Sequence, residues 1–486
     1  MSPDLDVILV SNRGPVSFVP TEDGFEITRG AGGLAGALHS VVKRLGSGAV
    51  WIAAATSDED RAAIAAGADK GLAAELGYPV HFLDIDPDAY SRYYDVVSNR
   101  LLWFANHCLM QELQMEEFGD AELIAWNEAY DPINEKFARA AAELAGRSSL
   151  VLFQDYHLAT APGHLRAARP DSMILHFTHS SFCGPRDFER MPRPIPQKTI
   201  EGMLGADLLG FHVPPWVSGF LDCCDRVGAT VDRAAGTVDH KGHRTWVRAY
   251  PIPIDAGSLR AKAQSAEVGE WATRFGGMAP GRLIVRADRT DPSKNIVRGF
   301  EAFGALLDRR PDLAGNTAFV ACLYPSRQTM AEYRAYSDDI HHAVERVNAR
   351  HPGSVELFVE DDFNRTLGAL LVYDVLLVNP IMDGMNLVSK EGPALNRNDG
   401  ILVLSRGAGS FTELGSHAVE IADPLDVEAT ARAMEAALEM APHERKKRAD
   451  RLRREVVASD PGGWIQQQIE DLVSLRDGGE PATAPA

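Results

Sequence analysis

Short apolar runs separated by helix-length stretches set the pattern of this chain. In the first half they fall at residues 7–10 (VILV), 49–53 (AVWIA), 150–154 (LVLFQ), 173–177 (MILHF) and 208–212 (LLGFH). In the second they fall at 282–285 (RLIV), 317–323 (TAFVACL), 355–359 (VELFV), 372–380 (VYDVLLVNP) and 401–404 (ILVL). Runs that stay apolar instead of alternating are expected of strands buried on both faces, and their alternation with helical stretches predicts βαβ units in both halves. The predicted class is therefore α/β with two mainly parallel sheets. Residues 18–27 read as a hairpin inserted after the first strand. Two prolines in YPIPID (250–255) interrupt the pattern and place the crossing between a domain at 1–252 and a second at 253–457. The stretch 464–475 reads as a final helix, and RDGGEPATAPA (476–486) as a disordered tail. There is no internal repeat.

The chemistry-bearing residues cluster where predicted strands end. Asp383-Gly384-Met385-Asn386-Leu387-Val388-Ser389-Lys390-Glu391 joins the 372–380 run to a helix expected at 390–396. It therefore lies at the carboxyl edge of a parallel sheet, where open α/β folds take their ligands. A helix start presents N–H groups and a positive dipole end to phosphate, and Gly384 would let the backbone approach closely. Asp383 can accept sugar hydroxyls, and Glu391 can hold a vicinal diol as acidic residues hold ribose. A plain strand-to-helix turn capped by Asp383 would look the same. The second cluster, Arg286 to Asn295 (RADRTDPSKN), follows 282–285. Arg289 and Lys294 make a diphosphate clamp there, unless Arg289 is spent on Asp288 or Asp291 as an ordinary ion pair. Arg13 projects from the end of the first strand. The glycine-rich RGAGGLAG (29–36), which contains Gly32 and Gly33, opens a helix, but a hairpin separates it from that strand, so a dinucleotide fingerprint is not met. Backbone packing over a ligand is the reading that remains.

Composition narrows the partners. The chain has 486 residues, 45% hydrophobic and 24% charged, which fits two globular cores. A formal charge of −19 argues against nucleic acid or an anionic membrane as partner, since either needs an extended basic face. The five cysteines have no metal-ligand spacing and read as reduced core thiols. No signal segment or membrane-length apolar run is present, which points to the cytoplasm. ERKKRADRLRRE (444–455) interleaves acids with its bases and reads as a solvated helix face before an interaction patch. Asp84-Ile85-Asp86 has the form of a metal-binding DxD, but Asp86-Pro87 also reads as a helix cap with proline in the first turn. Tyr93, Tyr94 and Trp103 have the spacing of core aromatics.

Taken together, SNRGP (11–15), GAGGLAGAL (30–38), YYDVVSNRLLW (93–103), FQDYHL (153–158), RADRTDPSK (286–294), YPSR (324–327) and DGMNLVSKE (383–391) resemble the trehalose-6-phosphate synthase family, in that family's order. GILVLSRGAGSFTE (400–413) extends the resemblance, which covers nearly all of the chain except its tail. It implies a GT-B architecture, two Rossmann-like domains facing each other across a deep cleft, with a C-terminal helix (458–475) returning to the first domain. It also implies a retaining, metal-independent and cofactor-free transfer of glucose from UDP- or ADP-glucose to glucose 6-phosphate, the first step of trehalose biosynthesis, by a front-face mechanism. The first domain would take the acceptor and the second the nucleotide sugar.

The resemblance assigns residues as well. Arg13, Tyr94, Trp103, Asp155 and Arg327 would hold glucose 6-phosphate. Gly32, Gly33, His179, Arg289, Lys294, Phe363, Asp383, Gly384, Met385, Asn386, Leu387, Val388 and Glu391 would line the nucleotide-sugar site. Arg289, Lys294, Asp383, His179 and Asp155 would carry catalysis. Ser180-Ser181-Phe182-Cys183 departs from the family's proline-containing segment beside His179, and a buried histidine satisfied within the core is the alternative for His179, His176 and His157. The implied partners are small molecules and further copies of the chain, as dimer or tetramer. A catalytically silent sugar-phosphate sensor would be expected to have a damaged clamp, yet Arg13, Arg289, Lys294, Asp383 and Glu391 are all present. An NAD-dependent oxidoreductase would need its glycines directly after the first strand.

Overall fold

The computed structural model of the chain describes residues 7–22, 24–29, 38–39, 42–43, 48–113, 115, 118–182, 184–278 and 281–484. It divides into two compact units, Met1–Ile252 together with Pro461–Ala486, and Pro253–Asp460. Among the described residues, no helix is long and apolar enough to cross a membrane.

In the first unit the strands are β1 (Val7–Arg13), β2 (Val16–Thr21), β3 (Gly24–Arg29), β4 (Ala49–Ala54), β5 (Val80–Leu83), β6 (Leu150–Gln154), β7 (Met173–Phe177), β8 (Leu208–Phe211), β9 (Thr230–Asp232), β10 (Thr237–His240) and β11 (His243–Ala249). Nine of them form one sheet in the order β5-β4-β1-β6-β7-β8-β11-β10-β9, and β2 and β3 pair separately as the hairpin. Pairing is parallel from β5 to β11 and antiparallel across β11, β10 and β9. Strand order reverses between β1 and β6, and Arg13 and Asp155 sit at those two carboxyl ends.

The second unit has β12 (Arg282–Arg289), β13 (Thr317–Tyr324), β14 (Val355–Val359), β15 (Val375–Val378), β16 (Ile401–Ser405) and β17 (Val419–Ile421), all parallel in the order β14-β13-β12-β15-β16-β17. Successive residues alternate between two cores. Leu283, Val285, Leu376, Leu402 and Leu404 pack on one face, and Ile284, Phe319, Leu377, Ile401 and Val403 on the other. Burying each such side chain contributes about 2 kcal/mol, so an unbroken apolar run is what a two-faced strand requires. β12 continues past its apolar run because Arg286 and Asp288, two apart and so on one face, neutralise each other inside the fold. The order reverses between β12 and β15, where both clamp loops emerge.

One expectation changes here and one alternative is resolved. The segment read as a disordered tail is tied down, because apolar content is not its only means of docking. The amides of Ala482 and Thr483 donate to Asp471 Oδ1 at 2.7 and 3.3 Å, and Arg248 Nε donates to the Thr483 carbonyl at 2.8 Å. Asp471 lies on the helix Pro461–Arg476, where its Oδ2 also accepts from Tyr250 at 2.7 Å. In addition, Asp86 serves as a helix cap: its Oδ1 accepts from Ala89 N at 3.0 Å, with Pro87 opening the helix Pro87–Ser91. The basic run lies on the helix Pro442–Val456, where Glu444 pairs with Lys447 and Arg448, and Asp450 with Lys446 and Arg453. Cys108, Cys223, Cys224 and Cys322 are free thiols, and Cys183 lies outside the described residues.

Candidate active site

In the second unit the two clamp loops are built into each other. Lys294, 8% exposed, pairs with Asp383, and Asn386 Nδ2 donates to Asp383 Oδ2 at 3.0 Å. Below them Arg286 donates to Asp288 Oδ2 at 3.1 and 2.8 Å and to the Lys294 carbonyl at 3.0 Å. This buried guanidinium fixes the loop that carries Arg289 and Lys294. Asp291 accepts from Ser293 N at 2.9 Å and Tyr333 Oη at 2.8 Å, and lies 3.3 Å from Arg327. Asp288 thus engages Arg286, and Asp291 engages Arg327 while also attracting Arg289. The left-handed residue of the second loop is Asn386 at φ 66°, rather than Gly384, and its Oδ1 accepts from Ser389 N at 3.1 Å to start the helix Val388–Leu395. The helix thus starts at Val388, ahead of the expected 390, behind the turn closed by the Asn386 side chain.

A third loop supports the second. Asp383 N donates to the Gly407 carbonyl at 2.9 Å, and Ser410 N to the Met385 carbonyl at 3.0 Å. A Cβ on Gly409 would stand 2.0 Å from the Gly384 oxygen, so only glycine permits this approach. Met385 is buried, Leu387 and Val388 partly so.

Charge follows burial. Burial opposes the charge of Arg289, but Asp291 and the hydroxyls of Tyr324 and Tyr333 outweigh it and hold its pKa above the ordinary value. Burial lowers Lys390 despite its 2.6 Å pair with Glu413. Burial alone pushes the Glu391 carboxyl up to about 7, and this side chain has no ion pair among the described residues. Phe363, the first residue of the helix Phe363–Val372 at the end of β14, is 39% exposed.

In the first unit the candidate residues form a chain of stacked rings and hydrogen bonds. Arg13 Nη2 donates to Tyr94 Oη at 3.3 Å, and its guanidinium carbon lies 5.8 Å from the ring centroid. Tyr94 is stacked between Tyr90, at 5.6 Å and 10°, and His157, at 5.6 Å and 12°. His157 Nδ1 is 3.7 Å from Asp155 Oδ2, while Asp155 Oδ1 accepts from Tyr156 N at 3.0 Å and His179 N at 3.1 Å. Asp155 has φ 73° and ψ 165°, a strained conformation for a residue with a side chain and one that clusters at functional sites. His179 Nε2 lies 3.0 Å from Gln154 Oε1. Burial, reinforced by His212, His176 and His157, holds its pKa well below the usual range, so the ring is neutral.

The structure brings Arg13 to Tyr94, Asp155 to His179, and Lys294 to Asp383 and Asn386. Trp103 is 6% exposed and packs on His107 and Tyr156, and Tyr93 is wholly buried. Ser180 and Ser181 anchor the departing segment through Asn106, with bonds of 3.0 and 2.8 Å. Gly32 and Gly33 lie outside the described residues. Sequence reasoning missed Tyr90, Asp291 as a partner of Arg327, and the Gly407-Ala408-Gly409 support. The glycine spacing of the third loop was the one available signal.

The family model for Glycosyltransferase family 20 matches residues 5–474. The chain belongs to glycosyltransferase family 20. Within that family it is 32% identical to the trehalose-6-phosphate synthase of Mycolicibacterium smegmatis, over 98% of this chain and 94% of that one. It is 34% identical to that of Mycobacterium sp. (strain KMS), over 99% and 97%. Among solved structures, the E. coli trehalose-6-phosphate structure bound with UDP-2-fluoro glucose matches with a TM-score of 0.81 and 25% identity, over 96% of this chain and 98% of that chain. A Burkholderia xenovorans α,α-trehalose-phosphate synthase (UDP-forming) in complex with glucose-6-phosphate shares the fold, with a TM-score of 0.80 and 24% identity over 96% and 100%. The family 20 chain is thus a glycosyltransferase of GT-B fold.

Proposed function

We propose that this family 20 glycosyltransferase moves glucose from a nucleoside-diphosphate glucose to glucose 6-phosphate, with retention, giving α,α-trehalose 6-phosphate. The observation that carries the reading is the linked pair of loops at the strand-order reversal of the second sheet, where Arg289, Lys294, Asp383 and the start of the helix Val388–Leu395 lie together. Two fixed cations and a helix start are suited to a diphosphate. As the glycosidic bond breaks, Arg289 and Lys294 stabilise the charge growing on the departing phosphate, with no need for a metal ion. Asp383 takes hydroxyls of the transferred glucose while its other oxygen holds Lys294 in place, and Glu391 takes the ribose diol.

Acceptor binding falls to Arg13, Tyr94 and Arg327, which orient the 6-phosphate, with Trp103 and Asp155 at the sugar. The anomeric hydroxyl then attacks on the face the phosphate leaves, and the departing phosphate oxygen takes its proton. Holding the two substrates in register supplies much of the rate. A neutral His179 serves as a hydrogen-bonding group to the donor sugar. The support from relatives is that the Burkholderia structure holds glucose 6-phosphate and the E. coli structure a fluorinated UDP-glucose. Incubation with glucose 6-phosphate and UDP-, ADP- or GDP-glucose in EDTA, with products identified by NMR, tests the reading. An α,α-1,1-linked disaccharide phosphate is expected, and no product from folded protein with any donor would overturn it.

A further inference from the structure

One polar side chain of the first unit sits where a strand ordinarily stays apolar. Gln154 ends β6, after Leu150, Val151, Leu152 and Phe153, and is 1% exposed. β6 lies between β1 and β7, in the middle of the sheet. A primary amide buried there is destabilising unless it is matched by partners. Gln154 has one: its Oε1 lies 3.0 Å from His179 Nε2, while its own Nε2 has no partner among the described residues. A half-matched buried amide calls for an explanation, and the contact with His179 supplies it.

That contact is one of two that grip the same histidine. Asp155, next along the chain, accepts from the His179 backbone amide at 3.1 Å, and Gln154 holds the ring. The remaining neighbours give the ring its shape: the centroids of Phe177, His212 and Trp464 lie 4.6, 5.4 and 6.0 Å away. Gln154 pairs with Phe177 in the register of β6 and β7, so the strand pairing itself sets where the amide meets the imidazole.

A neutral imidazole has one N–H and one bare nitrogen, and the nitrogen that faces an acceptor carries the proton. Burial, with His212, His176 and His157 as the titratable side chains that act on the ring, keeps His179 neutral. A carbonyl oxygen only accepts, so Nε2 carries the proton and Nδ1 is bare. No other hydrogen bond to the ring is made among the described residues, and His179 is half-buried, so Nδ1 is open to a ligand. A bare nitrogen takes a hydroxyl hydrogen.

We propose that Gln154 is a positioning residue: it fixes the Nε2–H tautomer of His179 and so makes Nδ1 the acceptor for a hydroxyl of the transferred sugar. This rests on the transfer reading above and deepens it at one contact. The first test needs no substrate. In a nitrogen–proton correlation spectrum of the full chain labelled at histidine, with the His179 signal assigned by its loss in His179→Gln, the Nε2–H tautomer is expected. The Nδ1–H tautomer would overturn the proposal.

The second test is kcat against pH, at saturating donor and acceptor, in Gln154→Leu and Gln154→Glu. Gln154→Leu removes the acceptor and lets the tautomers mix, so kcat is expected to fall about tenfold, as for one lost hydrogen bond, with KM for glucose 6-phosphate unchanged. Gln154→Glu keeps the shape and the oxygen but adds a charge that favours the imidazolium, in which both nitrogens donate. Its kcat is expected to fall about tenfold at acid pH and to recover as the ring deprotonates, a limb that the unaltered chain lacks. A merely loosened core would lower kcat at every pH alike. Gln154→Glu that follows the unaltered chain, or falls equally at all pH, therefore overturns the proposal, and this holds even where Gln154→Leu does not fold. The Nε2–H tautomer in a chain that transfers no glucose would uphold the grip of Gln154 on His179 and overturn the transfer reading. Transfer by a chain with the Nδ1–H tautomer would do the reverse.

Discussion

In the second unit, Lys294 and Asp383 are held by an ion pair beside the buried Arg286–Asp288 pair, whereas in the first, Tyr94 is held between the rings of Tyr90 and His157 and Asp155 is held by the backbone amides of Tyr156 and His179. Lys294 and Asp383 follow the two strands at the reversal of the second sheet, and Arg13 and Asp155 stand at the ends of the two at the reversal of the first. The charged set is organised to meet charge that develops during reaction, since a fixed cation placed before the phosphate departs costs no reorganisation. The ring-built set offers shape and one guanidinium, which suits a substrate whose phosphate carries the same charge before and after transfer. The difference teaches that charge at one site should govern turnover and stacking at the other should govern acceptor affinity.

The largest effect that would break this contrast is at Lys294. Lys294→Ala removes a cation from the leaving group and strips Asp383 of its partner, and kcat is expected to fall about 10²–10³-fold, as when a preorganised transition-state donor is lost. Steady-state kinetics with saturating donor checks this. Arg327→Ala should raise KM for glucose 6-phosphate about tenfold or more with a much smaller change for the sugar nucleotide, because a charged phosphate contact is lost. Equal rises for both substrates would remove Arg327 from the acceptor.

The two units also differ in how they respond to pH. Glu391 has its folded pKa raised to about 7, so the folded protein binds more protons than the unfolded chain between about 4.5 and 7. Its contribution to stability is fully present below the unfolded value and is lost as pH rises through 7. Glu391→Gln should flatten that loss in thermal melts, and should also abolish a rise in nucleotide affinity through pH 7, where the carboxylate forms. In the first unit the sign is opposite. His176 is lowered to about 4 by burial and His179 lies well below its usual range, so stability is present above about 6.5 and falls as pH drops toward 4. The smallest expected effect is that of Tyr94→Phe, which removes one hydroxyl bonded to Arg13 and keeps the stacked ring. It should raise KM for glucose 6-phosphate about threefold to tenfold, the loss of one hydrogen bond, and leave kcat nearly unchanged.

What was legible in the sequence follows the same division. The two-faced strands could be read because burial on both sides leaves few polar positions, and β6 and β7 have the bounds their apolar runs predict. The clamp residues could be read because cations after a strand are conspicuous. Their supports were hidden by distance along the chain: Asp291 meets Tyr333 across a separation of 42 residues, and Tyr94 meets His157 from the helix Arg92–Leu102. Stacking leaves no periodic mark, so Tyr90 went unread and His157 looked like a core histidine. The tail's anchors, Asp471, Arg248 and Gln467, lie outside it, so its own composition gave no sign of them.

The central claim is that Lys294 serves the leaving phosphate while Tyr94 serves the acceptor, and donor cleavage measured without acceptor separates them most directly. Release of nucleoside diphosphate from the preferred sugar nucleotide, with water as the only acceptor, is expected to fall in Lys294→Ala in proportion to its loss of transfer and to be unchanged in Tyr94→Phe. Cleavage that survives in Lys294→Ala while transfer is lost would contradict the account.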